Sequence, residues 1–177
     1  MEPTMNIRPS QDGDIGALAD LFTESVHSLA IEHYDSKERA AWAPQPPDLD
    51  HWRERLSNLH TLVAEIESHV AGFVSYELNG HIDLLFTSPS FVRLGVATAL
   101  YSRAESILID AGVTNLFTES SLVARNFFDR QGFLVTEEQS VSVRGMVFRR
   151  FAMSKLLNFA QQGAAPDRRS ATLRGDK

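Results

Sequence analysis

The chain has 177 residues, 43% of them hydrophobic, a formal charge of -6 and no cysteine. That length suits a single hydrophobic core rather than two. The acidic balance excludes a protein whose main task is gripping nucleic-acid phosphates, which needs a basic face. Absence of cysteine excludes disulfides, thiolate metal sites and any acyl-cysteine intermediate. The opening residues lack a basic start followed by an apolar run, and no apolar stretch is long enough to cross a bilayer. We therefore expect a soluble cytoplasmic protein with neither nucleic acid nor membrane as a partner.

Residues 5–8 read as a short strand, and 9–14 supply Ser and Asp suited to capping the next helix. In that helix Ile15, Leu18, Leu21, Phe22 and Val26 recur at helical spacing, and it ends near Leu29. The pattern breaks over 30–50, where Pro44, Pro46 and Pro47 forbid a long helix, leaving a loop with a short helical piece. Asp50 is the expected cap of a brief helix through Trp52, Leu56 and Leu59. Residues 61–66 and 69–78 carry the Val, Phe and Tyr enrichment of strands around a Glu67-Ser68 turn. Asn79-Gly80 is a stronger hairpin signal, because both residues tolerate positive φ, and it leads into a strand over 81–87.

After Pro89 comes a glycine-containing turn and then a helix through Leu100, Tyr101, Ala104 and Leu108, closed at Gly112. A strand over 115–119 follows. Strand, helix and strand in this order predict a right-handed crossover with the two strands parallel. A short helix over 123–130 stops at Gly132, and 133–142 with 147–154 form an antiparallel pair around Arg144-Gly145. The fold class is α+β, a mixed, mostly antiparallel seven-stranded sheet with helices on both faces. Residues 158–177 hold few apolar side chains and read as a disordered tail, so the domain spans 1–157.

The segment VRLGVAT at 92–98 stands between a strand and a helix. The small side chains of Gly95 and Ala97 permit a ligand to approach the backbone, and unpaired N–H groups at the helix start suit a diphosphate. Arg93 adds a cation. Neither the nucleoside-triphosphate pattern G-x-x-x-x-G-K-[ST] nor the dinucleotide pattern G-x-G-x-x-G is present. With Val92, Arg93, Leu94, Gly95, Val96 and Ala97 in the frame Q/R-x-x-G-x-G/A, the chain resembles the GNAT superfamily of N-acetyltransferases. A second pattern of that family, N-x-x-A-x-x-F-Y-x-x-x-G-F, fits Ser121 to Phe133 through Ala124, Phe127, Gly132 and Phe133. ERAAWAPQPPDLDHW at 38–52 and RGMVFRRFAMSK at 144–155 resemble the YafP-type branch.

The resemblance implies acetyl-coenzyme A as co-substrate, held by Leu85, Phe86, Thr87, Val92, Arg93, Leu94, Gly95, Val96, Ala97, Thr98, Ser121, Phe127 and Phe128. It departs at three positions. Val92 stands in place of Gln or Arg, Ser121 in place of an asparagine that contacts pantetheine, and Phe128 in place of the tyrosine that protonates the leaving thiolate. Ser121, Thr118 or water is left to supply that proton.

Transfer from a thioester to an amine requires a base, an oxyanion hole and an acid. Asp83 and Glu119 are the candidate bases, acting directly or through water. The family pattern implies a bulge that frees the Phe86 N–H for the oxyanion. Tyr34, Trp42 and Arg144 are candidate acceptor contacts, whereas Trp52 reads as an anchor of its loop on the core. The six histidines show no metal-binding spacing, so no metal is expected. The leading expectation is an acetyltransferase acting on a small-molecule amine by direct sequential transfer, with a homodimer as a possible assembly. The alternatives are a coenzyme A-binding regulatory module without turnover and a protein or peptide N-acetyltransferase.

Overall fold

A computed structural model describes residues 4–157; the tail expected over 158–177 lies outside them. The first strand, β1 (Met5–Pro9), leads through a single 3-10 turn, Asp12–Asp14, into α1 (Ile15–Leu29). Arg8 ties this entry together, reaching Asp14 at 2.7 Å and Glu65 at 2.6 Å. The short helical piece expected within 30–50 is α2 (Ser36–Trp42), and the brief helix expected after it is α3 (Leu49–Ser57). The cap of α3 is Asp48, not Asp50, because the Asp48 carboxylate accepts the N–H groups of Asp50 and His51. Asp35 and Glu38 cap α2 reciprocally.

Strands β2 (His60–Ile66), β3 (His69–Tyr76) and β4 (Ile82–Thr87) follow as antiparallel neighbours. Helix α4 (Val96–Asp110) crosses to β5 (Asn115–Ser121), and α5 (Arg125–Arg130) precedes the hairpin of β6 (Leu134–Val143) and β7 (Met146–Leu156). Among the described residues the seven strands form two sheets, ordered β1-β2-β3-β4 and β5-β7-β6, rather than one continuous sheet. A single parallel bridge between His81 and Phe117 joins them, as the crossover rule predicts.

Helices cover both faces of the first sheet. Leu18, Phe22, Trp52 and Leu56 of α1 and α3 bury against Val63, Phe73 and Leu84 on one face. Val96, Leu100, Ala104 and Leu108 of α4 bury against Ala64, Val74 and Ile82 on the other. Each such large side chain contributes about 2 kcal/mol by leaving water. The contact of α4 with β3 depends on Gly72, where a Cβ would lie 2.8 Å from Val96 Cγ1 and 2.9 Å from the Phe86 carbonyl oxygen. The joint between the sheets depends on Gly80. Its φ is 101°, and a Cβ there would stand 2.2 Å from the Asn115 carbonyl oxygen, so this turn can press against the start of β5. Among the described residues no helix is long and apolar enough to cross a membrane.

Candidate active site

The two sheets touch at one end and part at the other. The Phe117 N–H donates to the Gly80 carbonyl at 3.0 Å and the Thr118 hydroxyl to the Ile82 carbonyl at 2.8 Å. Beyond that point β4 stays with β3 while β5 takes β7 as its partner. A cavity of about 930 Å³ opens over the splay. Asp83, Leu85, Phe86, Glu119 and Ser121 line its floor, and Tyr34, Trp42, Trp52, Phe148 and Arg144 its walls.

Asp83 reaches the cavity through a bulge. Leu84 pairs with Ser75 and Ile82 with Tyr76, so Asp83 is the extra residue between them. A bulge re-aims the side chain it carries. Here Asp83 Oδ2 comes within 3.2 Å of Arg55 Nη2 on α3. The bulge is thus three residues before the position expected at Phe86. Phe86 sits in regular register opposite Phe73. Because the Ser88 N–H donates to the Ala71 carbonyl at 2.8 Å, alternation along an antiparallel ladder commits the Phe86 N–H to β3. The N–H groups of Leu85 and Thr87 face the splay instead.

Glu119, the second acidic candidate, lies across the gap on β5 and is bound by a residue that sequence reasoning passed over. His81 Nε2 stands 2.6 Å from Glu119 Oε2, and Nδ1 stands 3.1 Å from Glu77 Oε1. The His81 ring also stacks on Phe117 at 4.9 Å. Burial opposes charge on this imidazole, yet the hydrogen bonds to Glu77 and Glu119 and the charges of Glu119 and Asp83 outweigh it and raise the pKa above 6.5. Its place directly after the Asn79-Gly80 turn is a sequence cue and Glu77 is only four residues away, but Glu119 comes from β5, remote in the chain.

Of the predicted hydroxyl donors, Thr118 is committed and Ser121 only accepts. Thr118 is buried and gives its proton to Ile82. The Ser121 oxygen accepts the Ala124 N–H at 3.2 Å, a contact within the turn before α5. Phe128 is buried among Tyr101, Phe127 and Phe133 and offers no polar atom.

The phosphate segment lies on the other side of β4. Arg93 and Gly95 both adopt positive φ, 64° and 74°, and Gly95 caps α4 without a side-chain hydrogen bond. The first backbone bond of the helix runs from the Ala99 N–H to the Gly95 carbonyl at 2.9 Å. Among the described residues the N–H groups of Val96, Ala97 and Thr98 have no partner. Val92, Arg93, Leu94 and Thr98 are exposed, so this turn is open to a diphosphate. Phe127 packs on Tyr101 of α4 at 6.1 Å.

On the acceptor side, Tyr34 and Trp42 stand 5.3 Å apart and edge-on. Arg144 donates to the Ala41 carbonyl at 2.7 Å, tying the last hairpin to α2 while still lining the cavity. Trp52 packs on Phe22 and Phe73, as an anchoring tryptophan should.

This geometry agrees with known proteins. Residues 30–156 match the acetyltransferase (GNAT) domain family. The chain belongs to the GNAT acetyltransferases. It is 34% identical over 152 residues to the uncharacterized N-acetyltransferase YafP of Escherichia coli, a match covering 84% of this chain and 94% of that one. A GCN5-related N-acetyltransferase from Rhodopseudomonas palustris superposes with a TM-score of 0.83 at 28% identity, over 89% of this acetyltransferase and 99% of that chain. The protein yncA of Salmonella typhimurium, whose structure contains its cofactor acetyl-CoA, gives a TM-score of 0.64 at 20% identity, over 93% and 98% of the two chains.

Proposed function

We propose that this acetyltransferase moves the acetyl group of acetyl-coenzyme A to the amine of a small molecule by direct sequential transfer. The observation that carries this reading is the splay itself, with Asp83 and Glu119 lining a cavity whose walls are aromatic. In this arrangement the free N–H groups of Val96, Ala97 and Thr98 hold the diphosphate, with Arg93 adding charge. The open edge of β4 runs alongside the pantetheine, and the Leu85 N–H donates to the oxyanion that develops on the thioester carbonyl. That assigns to Leu85 the task expected of Phe86.

The acceptor enters from the side of α2 and α3 as an ammonium ion drawn by the two carboxylates. Asp83 or Glu119 takes its proton, directly or through water, so that the neutral nitrogen can attack. Tyr34 and Trp42 favour a flat or apolar body on that amine, and Arg144 a substrate that also bears an acid. The acetyl-CoA in the Salmonella relative supports the choice of donor. We further propose that residues 1–157 suffice for binding, that the enzyme works in the cytoplasm, and that any homodimer forms without sharing the cavity.

The test is thiol release from acetyl-coenzyme A across a panel of small amines, with both concentrations varied. Intersecting initial-rate lines support direct transfer; parallel lines, or acetylated protein without any small-molecule product, overturn it. Phenylalanine at position 128, which lacks the hydroxyl of the usual acid, favours a second reading as a coenzyme A-binding regulator. That reading predicts stabilisation by acetyl-coenzyme A with no thiol release under any condition.

A further inference from the structure

We propose that the hydroxyl of Tyr34 gives the departing thiolate its proton, replacing the hydroxyl that is missing at Phe128. This assignment rests on the acetyl-transfer reading above. Tyr34 lies in the turn between α1 and α2, far in sequence from Phe128. Its ring is nonetheless buried between Trp42 at 5.3 Å and Phe148 at 5.5 Å. Its oxygen accepts the Leu122 N–H at 3.3 Å, which places it where β5 ends and α5 begins. Tyr34, Ser121, Ala124 and Phe128 line the same cavity.

The turn that carries Tyr34 is held on both sides. The Tyr34 N–H donates to the Ala30 carbonyl at 3.0 Å, and Arg39 Nη1 donates to the Tyr34 carbonyl. Asp35 then caps α2. A side chain fixed in this way is positioned before substrate arrives, which is what proton transfer demands.

A phenol has one proton to give and lone pairs to accept with. Tyr34 uses its oxygen to accept from Leu122, and among the described residues no protein group accepts its proton. A buried hydroxyl proton without an acceptor is costly. That proton is free to pass to a group that enters the cavity. The neighbouring hydroxyls do not compete: Thr118 donates to Ile82 at 2.8 Å and Ser120 to the Ser121 carbonyl at 2.9 Å. Ser121 is an alcohol, a far weaker acid than a phenol. Burial raises the Tyr34 pKa above 10.0, so the proton is present at neutral pH, while the Leu122 N–H works the other way by stabilising the phenolate.

In the step itself the amine nitrogen forms a C–N bond to the acetyl carbon and the C–S bond breaks. The electron pair stays on sulfur, and the Tyr34 proton passes to it, leaving a free thiol and a phenolate. The phenolate regains a proton from solvent, and the carboxylate that deprotonated the amine releases one.

The experiment compares wild type with Tyr34→Phe, which keeps the ring, and with 3-fluorotyrosine at position 34, which keeps the hydroxyl but lowers its pKa. In Tyr34→Phe, kcat should fall about 100-fold, with acetyl-coenzyme A affinity changed less than about twofold. In the fluorinated enzyme the basic limb of kcat against pH should move to lower pH. A Tyr34→Phe enzyme that keeps kcat within about threefold of wild type, or a basic limb that fluorination does not move, overturns the assignment while leaving acetyl transfer intact. Absence of thiol release by the wild type overturns the transfer reading, and the assignment falls with it.

Discussion

Asp83 owes its place in the cavity to one extra residue in β4, and Glu119 owes its orientation to His81 at 2.6 Å. If one of them takes the proton from the amine, Asp83→Asn or Glu119→Gln lowers kcat/KM by about 100-fold or more at neutral pH, with little change for the other carboxylate. The acidic limb of the kcat/KM profile vanishes in the variant that has lost the base, which pH-dependent initial rates will show. His81 makes a separate, structural prediction. Its pKa is raised in the folded protein, so its contacts with Glu77 and Glu119 contribute fully below the ordinary value of 6.5 and are lost as pH climbs through the folded value. Melting measurements should show the wild type losing its advantage over His81→Gln as pH rises above 6.5. An advantage that grows with pH would contradict this linkage.

The two elements that matter most are β4 and α4, and glycine sets the distance between α4 and the sheet. A methyl group at Gly72 would meet the Phe86 backbone oxygen at 2.9 Å as well as Val96. Val96 is also the first residue of α4. Gly72→Ala should therefore cost about 2 kcal/mol by denaturant titration and weaken acetyl-coenzyme A binding, because the helix start moves with Val96. A contrasting test is Ala97→Glu, whose partly exposed position spares the core. A carboxylate beside the open N–H groups should reduce acetyl-coenzyme A affinity about 100-fold by calorimetry, with the melting temperature of the free protein nearly unchanged. Equal binding by Ala97→Glu would remove the diphosphate from this turn. The element boundaries show what local signals carry: the Asn79-Gly80 turn, the Gly112 terminator and the α1 stripe were legible because each depends on neighbours in sequence. The cap of α3 was misplaced by two residues, since Asp48 and Asp50 have the same chemistry and only geometry selects Asp48.

For the molecule as a whole, ligand linkage is the simplest test of the domain boundary. The last backbone contact before residue 158 is the Leu157 N–H to the Thr114 carbonyl at 2.8 Å. A chain ending at 157 should gain the same stabilisation as the full chain, about 2.7 kcal/mol at a hundredfold excess of acetyl-coenzyme A over its Kd; a smaller gain would assign binding to the remaining residues. The amino-acid sequence by itself determined the order of elements, the parallel crossover, the turn at 92–98 and the family, because periodicity, turn residues and a short motif are properties of contiguous chain. It also determined that Phe128 brings no proton. Only the tertiary structure decided that the seven strands split into two sheets, since that depends on β5 choosing β7 over β4. The bulge at Asp83, the binding of Glu119 by His81 and the meeting of Tyr34 with Leu122 likewise required the fold. Each joins residues from separate elements, and one-dimensional spacing carries no information about how such elements pack.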